Sequence, residues 1–348
     1  MKRIGYIYEK IYDKENIRKA IMKASEHKRK KPGVKKVLDN MEWYIDNIQQ
    51  MLINETFQNS PCSIEEHYEQ LSGKVRILRK PRFYPDQIVH WCVMLQLTPL
   101  FMKGMDPHNC GNVPGRGEKH IRLWLRRNIK KDPKGTKWVL KYDIRHFYES
   151  VDHKVLMEKL ERKIKDKKVL KLLKTIIEFD PVGLPLGTYT SQWLANFYLQ
   201  SLDHYTREQL KATHMYRYAD DVVILGSNKR KLYKMQKAIE EYLNSEKLEM
   251  KNNWAIFQLS KRDIDFVGYR YHSNGRITIR KRIWKNIRAI ILRIHHHGLC
   301  LKRAMRFMSY NGYVKNSNSQ FIQSHYYNLV EMKKIRQCVS QESRRKTT

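Results

Sequence analysis

Two adjacent aspartates, Asp220 and Asp221, interrupt an apolar run at residues 215–226, MYRYADDVVILG. The alternation on either side predicts a strand, a tight turn and a second strand, with both carboxylates at the tip of the hairpin. Asp143 ends another predicted strand, KWVLKYD, in the same way. If the two strands are neighbours in one sheet, the carboxylates of Asp143 and Asp220 converge at its edge.

Carboxylates that share a small volume repel one another unless cations neutralise them. Hard divalent ions prefer oxygen ligands, and Mg²⁺, with Mn²⁺ as a substitute, takes one or two carboxylates together with substrate phosphates. Two such ions about 3.5–4 Å apart activate an attacking hydroxyl and stabilise a leaving oxygen, which is the chemistry of nucleotidyl transfer. An isolated pair of aspartates is usually a solvated loop, but the flanking apolar runs and the third aspartate favour a metal site.

The charge of the chain predicts a polyanionic partner. Its 348 residues include 69 Lys and Arg against 35 Asp and Glu, a formal net charge of +34. An excess of this size is the footprint of nucleic-acid binding, and an incidental basic surface or an anionic membrane surface is the alternative. The five cysteines form no CxxC pair, the first residues lack an apolar signal segment, and no run approaches the about 18 apolar residues of a membrane span. We therefore expect a cytoplasmic protein without a membrane partner.

Tyr218-Ala219-Asp220-Asp221 resembles the YxDD box of reverse transcriptases. Other segments resemble further boxes of that family, in the family's own order: the fingers segment GKVRILRKPRFYPDQIVH, the second fingers box NVPGRGEKHI, the first palm box KYDIRHFYESVDH, the nucleotide-pocket box GLPLGTYTSQWLANFYL and the primer grip DFVGYRY. Each match is weak alone, whereas the ordered set is specific. The resemblance implies a bacterial or phage-encoded RNA-directed DNA polymerase with template RNA and a primer or cDNA strand as partners.

Strand and helix patterns are intermixed without repeated βαβ units, which predicts an α+β fold. With the resemblance, this becomes a right-hand polymerase fold of four parts: a helical N-terminal extension (1–70), fingers (71–138), a palm with inserted helices (139–275) and a basic helical thumb (276–348). Turns are expected near Gly73 and at Asn274-Gly275. In the thumb, basic residues interleaved with Trp284 and Tyr313 suit nucleic-acid contact, and a helical bundle with charged outer faces is the alternative.

The resemblance also assigns the acidic residues. It implies that Asp143 and Asp220 hold both metal ions and that Asp221 completes the acidic site in a less direct role. The backbone carbonyl of Ile144 would reach a metal as well.

Five further residues are implied to contact the incoming nucleotide. Arg76 and Lys74 match the basic residues that bind its triphosphate, and the planar fork of arginine suits phosphate oxygens. Tyr148 stands where the family has its ribose gate, a bulky ring that clashes with a 2′-hydroxyl and favours dNTPs. Gln192 matches a glutamine beside the nucleotide, and Leu186 lies near it.

Val267, Gly268 and Tyr269 match the primer grip of the family. Arg116 fits a template or phosphate contact better than a place in the metal site.

Many reverse transcriptases carry a lysine after the YxDD box that protonates the pyrophosphate leaving group. Here Asn253-Trp254 occupies the expected place, although Lys251 is close by. The general acid is therefore unassigned.

Residues 186–192, LGTYTSQ, are similar to a signature of the reverse transcriptases of diversity-generating retroelements. In that group the enzyme copies a template-repeat RNA with errors at adenines, and the cDNA replaces a variable repeat, a process called mutagenic retrohoming. Its members work with a small basic accessory protein that forms a barrel. YADD is instead frequent in retrons, group II intron proteins and antiphage defence enzymes, so an enzyme of that kind is the alternative. A non-catalytic RNA-binding scaffold is a further alternative, which the intact acidic residues disfavour.

Overall fold

The computed structural model describes residues 3–69 and 74–347. The turn predicted near Gly73 and the side chain of Lys74 lie outside the described residues. Helices and strands are intermixed along the described chain, so the predicted α+β class is confirmed.

The α-helices begin and end as follows: α1 (Tyr8–Ile11), α2 (Lys14–Ser25), α3 (Pro32–Asp39), α4 (Met41–Ile53), α5 (Ile88–Lys103), α6 (Glu118–Lys131), α7 (Phe147–Ser150), α8 (His153–Glu161), α9 (Lys167–Ile177), α10 (Tyr189–Tyr198), α11 (Gln200–His204), α12 (Lys229–Ser245), α13 (Lys281–His297), α14 (Leu301–Lys315), α15 (Gln320–Tyr326) and α16 (Met332–Thr347). Single π-helical or 3₁₀ turns adjoin three of them, at Phe83–Gln87, Tyr205–Gln209 and Tyr327–Leu329.

The strands of the described residues form three antiparallel sheets. Their bounds are β1 (Ser63–Glu69), β2 (Lys74–Lys80), β3 (Trp138–Asp143), β4 (His214–Tyr218), β5 (Asp221–Gly226), β6 (Ala255–Gln258), β7 (Ile264–Phe266), β8 (Tyr269–Tyr271) and β9 (Ile277–Ile279). The first sheet is the hairpin β1–β2, the second has the order β4-β5-β3-β6, and the third has the order β7-β8-β9. We call the second sheet the central sheet; Asp143 and Asp221 lie in its strands β3 and β5, and Asp220 lies in the turn between β4 and β5.

The central sheet separates two hydrophobic cores. On β3, Leu140 and Tyr142 face the larger core, which includes the N-terminal helices, while Val139 faces the smaller core with the third sheet and α13–α14. On β5, Ile224 and Val223 divide in the same way. Since successive side chains of a strand point to opposite faces, a strand that is buried on both faces has a continuous apolar sequence.

The N-terminal helices are part of the larger core. Helix α2 packs against α4 and α5, and Ile17 and Ile21 are fully buried between them. The side-chain amide of Asn16 on α2 donates to the carbonyl of Cys92 on α5 at 3.1 Å. Burial of this kind stabilises the main fold directly.

The hairpin β1–β2 begins earlier than the sequence predicted. The range 1–70 was expected to be helical, but its helices end at Ile53 and β1 starts at Ser63. The strand has Ile64 and Tyr68 exposed, so it has no buried face whose apolar residues would stand out in the sequence. The other predicted bounds of the four parts stay predictions.

The hairpin is joined to the loop before α10. The amide of Arg79 donates to the carbonyl of Leu186 at 2.8 Å, and its guanidinium pairs with Asp180 at 2.7 Å. Gly187 has a φ of +117°, and a Cβ there would lie 2.7 Å from the carbonyl oxygen of Arg79. Only glycine allows this backbone conformation and this close approach together.

The third sheet confirms the second predicted turn. His272 donates its amide to the carbonyl of Arg276 at 3.0 Å, and Gly275 within this turn has a φ of +76°. The sheet packs with α13 and α14 in the smaller core. Among the helices of the described chain, none combines the length and the apolar character that a membrane crossing requires.

We predict that the N-terminal helices contribute strongly to global stability. Ile21→Ala removes a fully buried side chain between α2 and α5, and the loss of apolar contacts and the cavity that remains cost about 2–5 kcal/mol. The neighbouring Met22→Ala is the matched control, because Met22 is 38% exposed and its loss costs within about 1 kcal/mol. Urea unfolding of both variants measures the difference, and equal stabilities would mean that α2 does not belong to the core.

Candidate active site

The turn between β4 and β5 carries Asp220 at the edge of the central sheet. Strand β4 ends at Tyr218 and β5 begins at Asp221, so Ala219 and Asp220 form the turn. Ala219 adopts a left-handed conformation with a φ of +55°, which is uncommon for a residue that has a side chain. The strand, turn and strand predicted from the sequence are therefore confirmed.

Strand pairing brings the third aspartate to the same edge. Strand β3 lies next to β5, and Asp143 is the Cα partner of Asp221 in the antiparallel register. The amide of Ile144, immediately after β3, donates to the carbonyl of Asp220 at 3.3 Å. Ile144 therefore helps to fix the turn through its amide, while the metal contact of its carbonyl stays a prediction.

Two lysines lie against the acidic residues. Lys251 forms an ion pair with Asp143 Oδ1, and Lys141 Nζ lies 3.4 Å from Asp221 Oδ2. The backbone places Lys251 here, because its amide donates to the carbonyl of Asp143 at 2.9 Å. The ammonium groups thus offset part of the negative charge at this edge of the sheet.

Ionisation of the acidic residues is nevertheless unfavourable in this environment. Burial, with the neighbouring Asp143, raises the pKa of Asp220. Burial raises the pKa of Asp221 to about 6, against the lowering effect of Lys141. Asp221 Oδ1 is also buried without a hydrogen-bond partner. A cation bound among these oxygens would relieve both the desolvation and the repulsion.

This set of donors fits Mg²⁺ or Mn²⁺, because hard cations take carboxylate oxygens and backbone carbonyls as ligands. Among the described residues, no three His, Cys, Asp or Glu side chains are already gathered into a group that could hold a metal ion. The ion pairs explain this arrangement, since Asp143 faces Lys251 and Asp221 faces Lys141. A cation at Asp143 Oδ1 would have to displace Lys251 from that oxygen.

A cleft of about 450 Å³ lies beside Asp220. Its walls include Arg76 from the hairpin β1–β2, Tyr148 from α7, Leu186 from the loop before α10, and Lys251. The sequence predicted that Arg76, Tyr148 and Leu186 contact one nucleotide, and the structure brings these three together with an acidic residue. A cleft lined by cationic, aromatic and acidic groups suits a phosphorylated ligand that arrives with a metal ion.

The position of Tyr148 is fixed by its backbone. Its carbonyl accepts from the amide of Leu184 at 2.7 Å, and Gly183 packs so closely that a Cβ there would lie 2.5 Å from the same oxygen. Burial, with the charge of Asp220, raises the pKa of Tyr148 to about 12. The phenol therefore stays neutral at physiological pH, and its ring forms a rigid wall of the cleft.

Of the other two predicted nucleotide contacts, only Gln192 has a described side chain, and the structure does not bring it to this cleft. Gln192 lies exposed on α10 and is not among the residues that line the cleft. Lys74 begins β2 opposite Glu69, and its side chain lies outside the described residues. Their roles stay predictions.

The predicted primer grip is the tight turn between β7 and β8. Val267 and Gly268 have φ values of +44° and +89°, and Tyr269 is fully buried. A Cβ on Gly268 would lie 2.5 Å from the ring of Tyr313, so this turn packs directly against α14.

Arg116 folds back on its own loop. Its guanidinium donates to the carbonyl of Asp106 at 2.8 Å, and its amide donates to the carbonyl of Val113 at 3.1 Å. A contact with a nucleic acid would have to use its remaining N–H groups.

Lys141 and Lys251 are the residues of this site that the sequence did not assign. Lys141 had a signal, since it stands two positions before Asp143 and period-two alternation places both on one face of β3. No local pattern in the sequence marks Lys251, because it contacts Asp143 from a segment that is distant in the sequence.

Comparisons with known proteins agree with this geometry. A family described as reverse transcriptase (RNA-dependent DNA polymerase) matches residues 73–271, which is more than half of the chain. The group II intron-encoded protein LtrA of Lactococcus lactis is 27% identical over 171 residues, which are 46% of this chain and 28% of that protein. The retron Ec73 reverse transcriptase of Escherichia coli is 25% identical over 218 residues, which are 57% of this chain and 66% of that protein.

A solved structure is similar in fold. Apo telomerase from Candida tropicalis has a TM-score of 0.50 and 12% sequence identity, and the match covers 78% of this chain and 59% of that one. At this identity the likeness concerns the fold alone, and it agrees with a right-hand polymerase arrangement.

We predict that Mg²⁺ stabilises the protein more at pH 8 than at pH 5. A carboxyl whose pKa is raised in the folded state binds its proton more tightly there, so the stability that it contributes is lost as the pH rises through about 6. Mg²⁺ at tenfold its Kd would restore about 1.4 kcal/mol at pH 8, whereas protons compete with it at pH 5.

Thermal unfolding with EDTA or with MgCl₂ at both pH values measures this effect. Asp221→Asn is the matched control, because the neutral amide removes the repulsion and should reduce the dependence of the Mg²⁺ effect on pH. An Mg²⁺ effect of equal size at both pH values would contradict the prediction.

Proposed function

Because this chain belongs to the reverse transcriptase (RNA-dependent DNA polymerase) family, we propose that it extends a primer with dNTPs on an RNA template. The observation that carries the proposal is the pairing of β3 with β5, which puts Asp143 beside Asp221 and ties Ile144 to Asp220. The chain spans only part of the length of the relatives compared above, so the activity of the whole protein is inferred from this site.

In this proposal Asp143 and Asp220 would hold two Mg²⁺ ions. Asp221 would add a third negative charge to the acidic site in a less direct role. When bound, such ions lower the pKa of the primer 3′-hydroxyl and stabilise the pyrophosphate that leaves. The chain supplies the rigid edge that fixes the carboxylates before the substrate arrives. This preorganisation matters because the oxygens need not rearrange as the new phosphodiester bond forms.

The residues of the cleft position the nucleotide. Arg76 binds phosphate oxygens with its planar fork, and Leu186 and Tyr148 contact the base and sugar. Lys251 faces both Asp143 and the cleft, so its ammonium group can pass from the carboxylate to the triphosphate as the metal-bound nucleotide enters. We propose it as the cation that contacts the leaving phosphates, a role left unassigned by the sequence.

The template would be the RNA of a retroelement. The stretch LGTYTSQ supports a diversity-generating retroelement, with errors at template adenines, mutagenic retrohoming and a small basic accessory protein that forms a barrel. The YADD box and the similarity to a retron reverse transcriptase over 57% of this chain support the alternative of a retron-like or defence enzyme. The net charge of +34 suits an RNA template in either case.

Sequencing the cDNA made from a native RNA distinguishes the two branches. Substitutions concentrated at template adenines would favour the diversity-generating retroelement, whereas a faithful or untemplated product would favour the alternative.

We predict that Asp220→Asn lowers the single-turnover rate of dNTP incorporation by at least about 10²-fold, because the amide cannot hold a divalent cation as the carboxylate does. Binding of an RNA–DNA template–primer should be unchanged, which fluorescence anisotropy measures. Glu249→Gln is the matched control, since Glu249 stands two positions before Lys251 but forms an exposed ion pair with Arg145. Undiminished incorporation by Asp220→Asn at equal Mg²⁺ would refute the proposed function.

We also predict that Tyr148→Val lowers the preference for dNTPs over rNTPs by about 10-fold or more, because the smaller side chain leaves room for a 2′-hydroxyl. Tyr148→Phe is the control, since it keeps the ring and should keep the preference. The ratio of kcat/KM for dGTP and GTP measures the effect. If Tyr148→Phe behaved like Tyr148→Val, the phenol hydroxyl rather than the bulk of the ring would set the preference.

A further inference from the structure

Arg217 on β4 is fully buried immediately beneath the turn that carries Asp220. Its Nε donates to Asp203 Oδ1 at 2.8 Å and its Nη2 donates to Asp203 Oδ2 at 2.6 Å. Asp203, on α11, thus forms a bidentate ion pair with the guanidinium. The remaining nitrogen, Nη1, donates to Asn196 Oδ1 at 3.1 Å and to the carbonyl of Ala219 at 3.0 Å. One rigid fork thus links two helices of the palm to the turn.

The carbonyl of Ala219 belongs to the peptide unit that precedes Asp220. The carbonyl of Asp220 itself accepts from the amide of Ile144 at 3.3 Å. The backbone of Asp220 is therefore held on both sides, by Arg217 before it and by Ile144 after it. Since the Cα–Cβ direction follows from the backbone, these two hydrogen bonds fix the direction in which the side chain of Asp220 leaves the turn.

The turn needs such support. Ala219 has a left-handed φ of +55°, a conformation that persists in a residue with a side chain only where the surroundings enforce it. Its outer side is closed by the loop before α6, where a Cβ on Gly111 would lie 2.3 Å from the amide nitrogen of Ala219. The same loop is held by Asn196, whose amide donates to the carbonyl of Gly111 at 2.7 Å.

We propose that Arg217 is a positioning residue for the polymerase reaction, which orients Asp220 by holding the carbonyl of Ala219 while Asp203 and Asn196 hold its guanidinium. The inference rests on the proposed function. A buried ion pair is by itself weak support for stability, because apolar residues often replace such a pair without loss. The hydrogen bond from Nη1 to the carbonyl of Ala219 is the contact that connects this buried pair to the turn, and it carries the positioning role. A lysine could not replace the fork, because its single nitrogen cannot face both acceptors of Nη1 and both oxygens of Asp203.

The first test replaces the whole pair in the variant Arg217→Met/Asp203→Leu. No charge is left unpaired in the core, so the thermal midpoint and the affinity for an RNA–DNA template–primer should stay near those of the natural protein. The single-turnover rate at saturating dNTP should fall at least about 10-fold with little change in the KM for dNTP. A purely structural role would instead move the thermal midpoint and leave the rate unchanged.

Lys159→Met/Glu246→Leu is the matched control. This pair is also largely buried, with Nζ and Oε2 2.8 Å apart, and it connects α8 to the end of α12 without touching the turn at Asp220. It should keep the natural rate. If both double variants lost rate equally, the effect would come from removing a buried ion pair in general, and the proposal would be overturned.

Arg217→Lys provides the second test. If Arg217→Met/Asp203→Leu does not fold, this variant alone tests the positioning role of Arg217. It keeps a positive charge beside Asp203 but loses the fork, so we expect the same loss of rate together with weaker Mn²⁺ binding measured by electron paramagnetic resonance. A natural rate in either folded variant of Arg217 would overturn the proposal while leaving the proposed function intact. Absence of dNTP incorporation by the natural protein would instead overturn the proposed function, and Mn²⁺ binding would still test the orientation of Asp220.

Discussion

Repulsion between carboxylates is the constraint on which the rest of this structure depends. Asp143, Asp220 and Asp221 meet at one edge of the central sheet although burial and mutual proximity raise the pKa of both Asp220 and Asp221. Strand pairing compels this proximity, and Lys141 and Lys251 offset only part of its cost. An edge that holds negative charge unfavourably has a strong affinity for cations. The stability lost at this edge is thus the free energy that a bound cation would recover.

Much of the site could be predicted because its signals are local. The hairpin at 215–226 follows from alternation around a polar tip, and an aspartate that ends an apolar strand marks the same edge on β3. These local signals do not show that the two strands are neighbours in one sheet. Only the resemblance to a family indicated that strand order. The structure adds the register in which Asp143 faces Asp221. Arg76, Tyr148 and Leu186 were assigned in the same way, and they line one cleft.

Interactions between distant segments could not be predicted. Lys251 reaches Asp143 across 108 positions, and Arg217 meets Asp203 and Asn196 only because α10 and α11 pack beneath β4. Propensity and periodicity describe a segment and its own faces, so they do not report such partners. The start of β1 at Ser63, within the range expected to be helical, was missed for a related reason: a strand exposed on both faces has no buried apolar face to mark it in the sequence. Gln192 matches a family motif, but the structure does not place it among the residues that line the cleft.

The contact between the hairpin β1–β2 and the loop before α10 determines which of two neighbouring residues can be substituted without distorting the backbone. Gly187 is confined by its φ of +117° and by the carbonyl of Arg79, whereas the neighbouring Leu186 is held by a backbone hydrogen bond and lines the cleft. A mutation at 187 distorts the scaffold, but one at 186 exchanges a single surface of the cleft and leaves the scaffold in place. The backbone at this contact therefore tolerates only glycine at position 187, whereas the side chain at position 186 can be exchanged without changing the backbone that carries it.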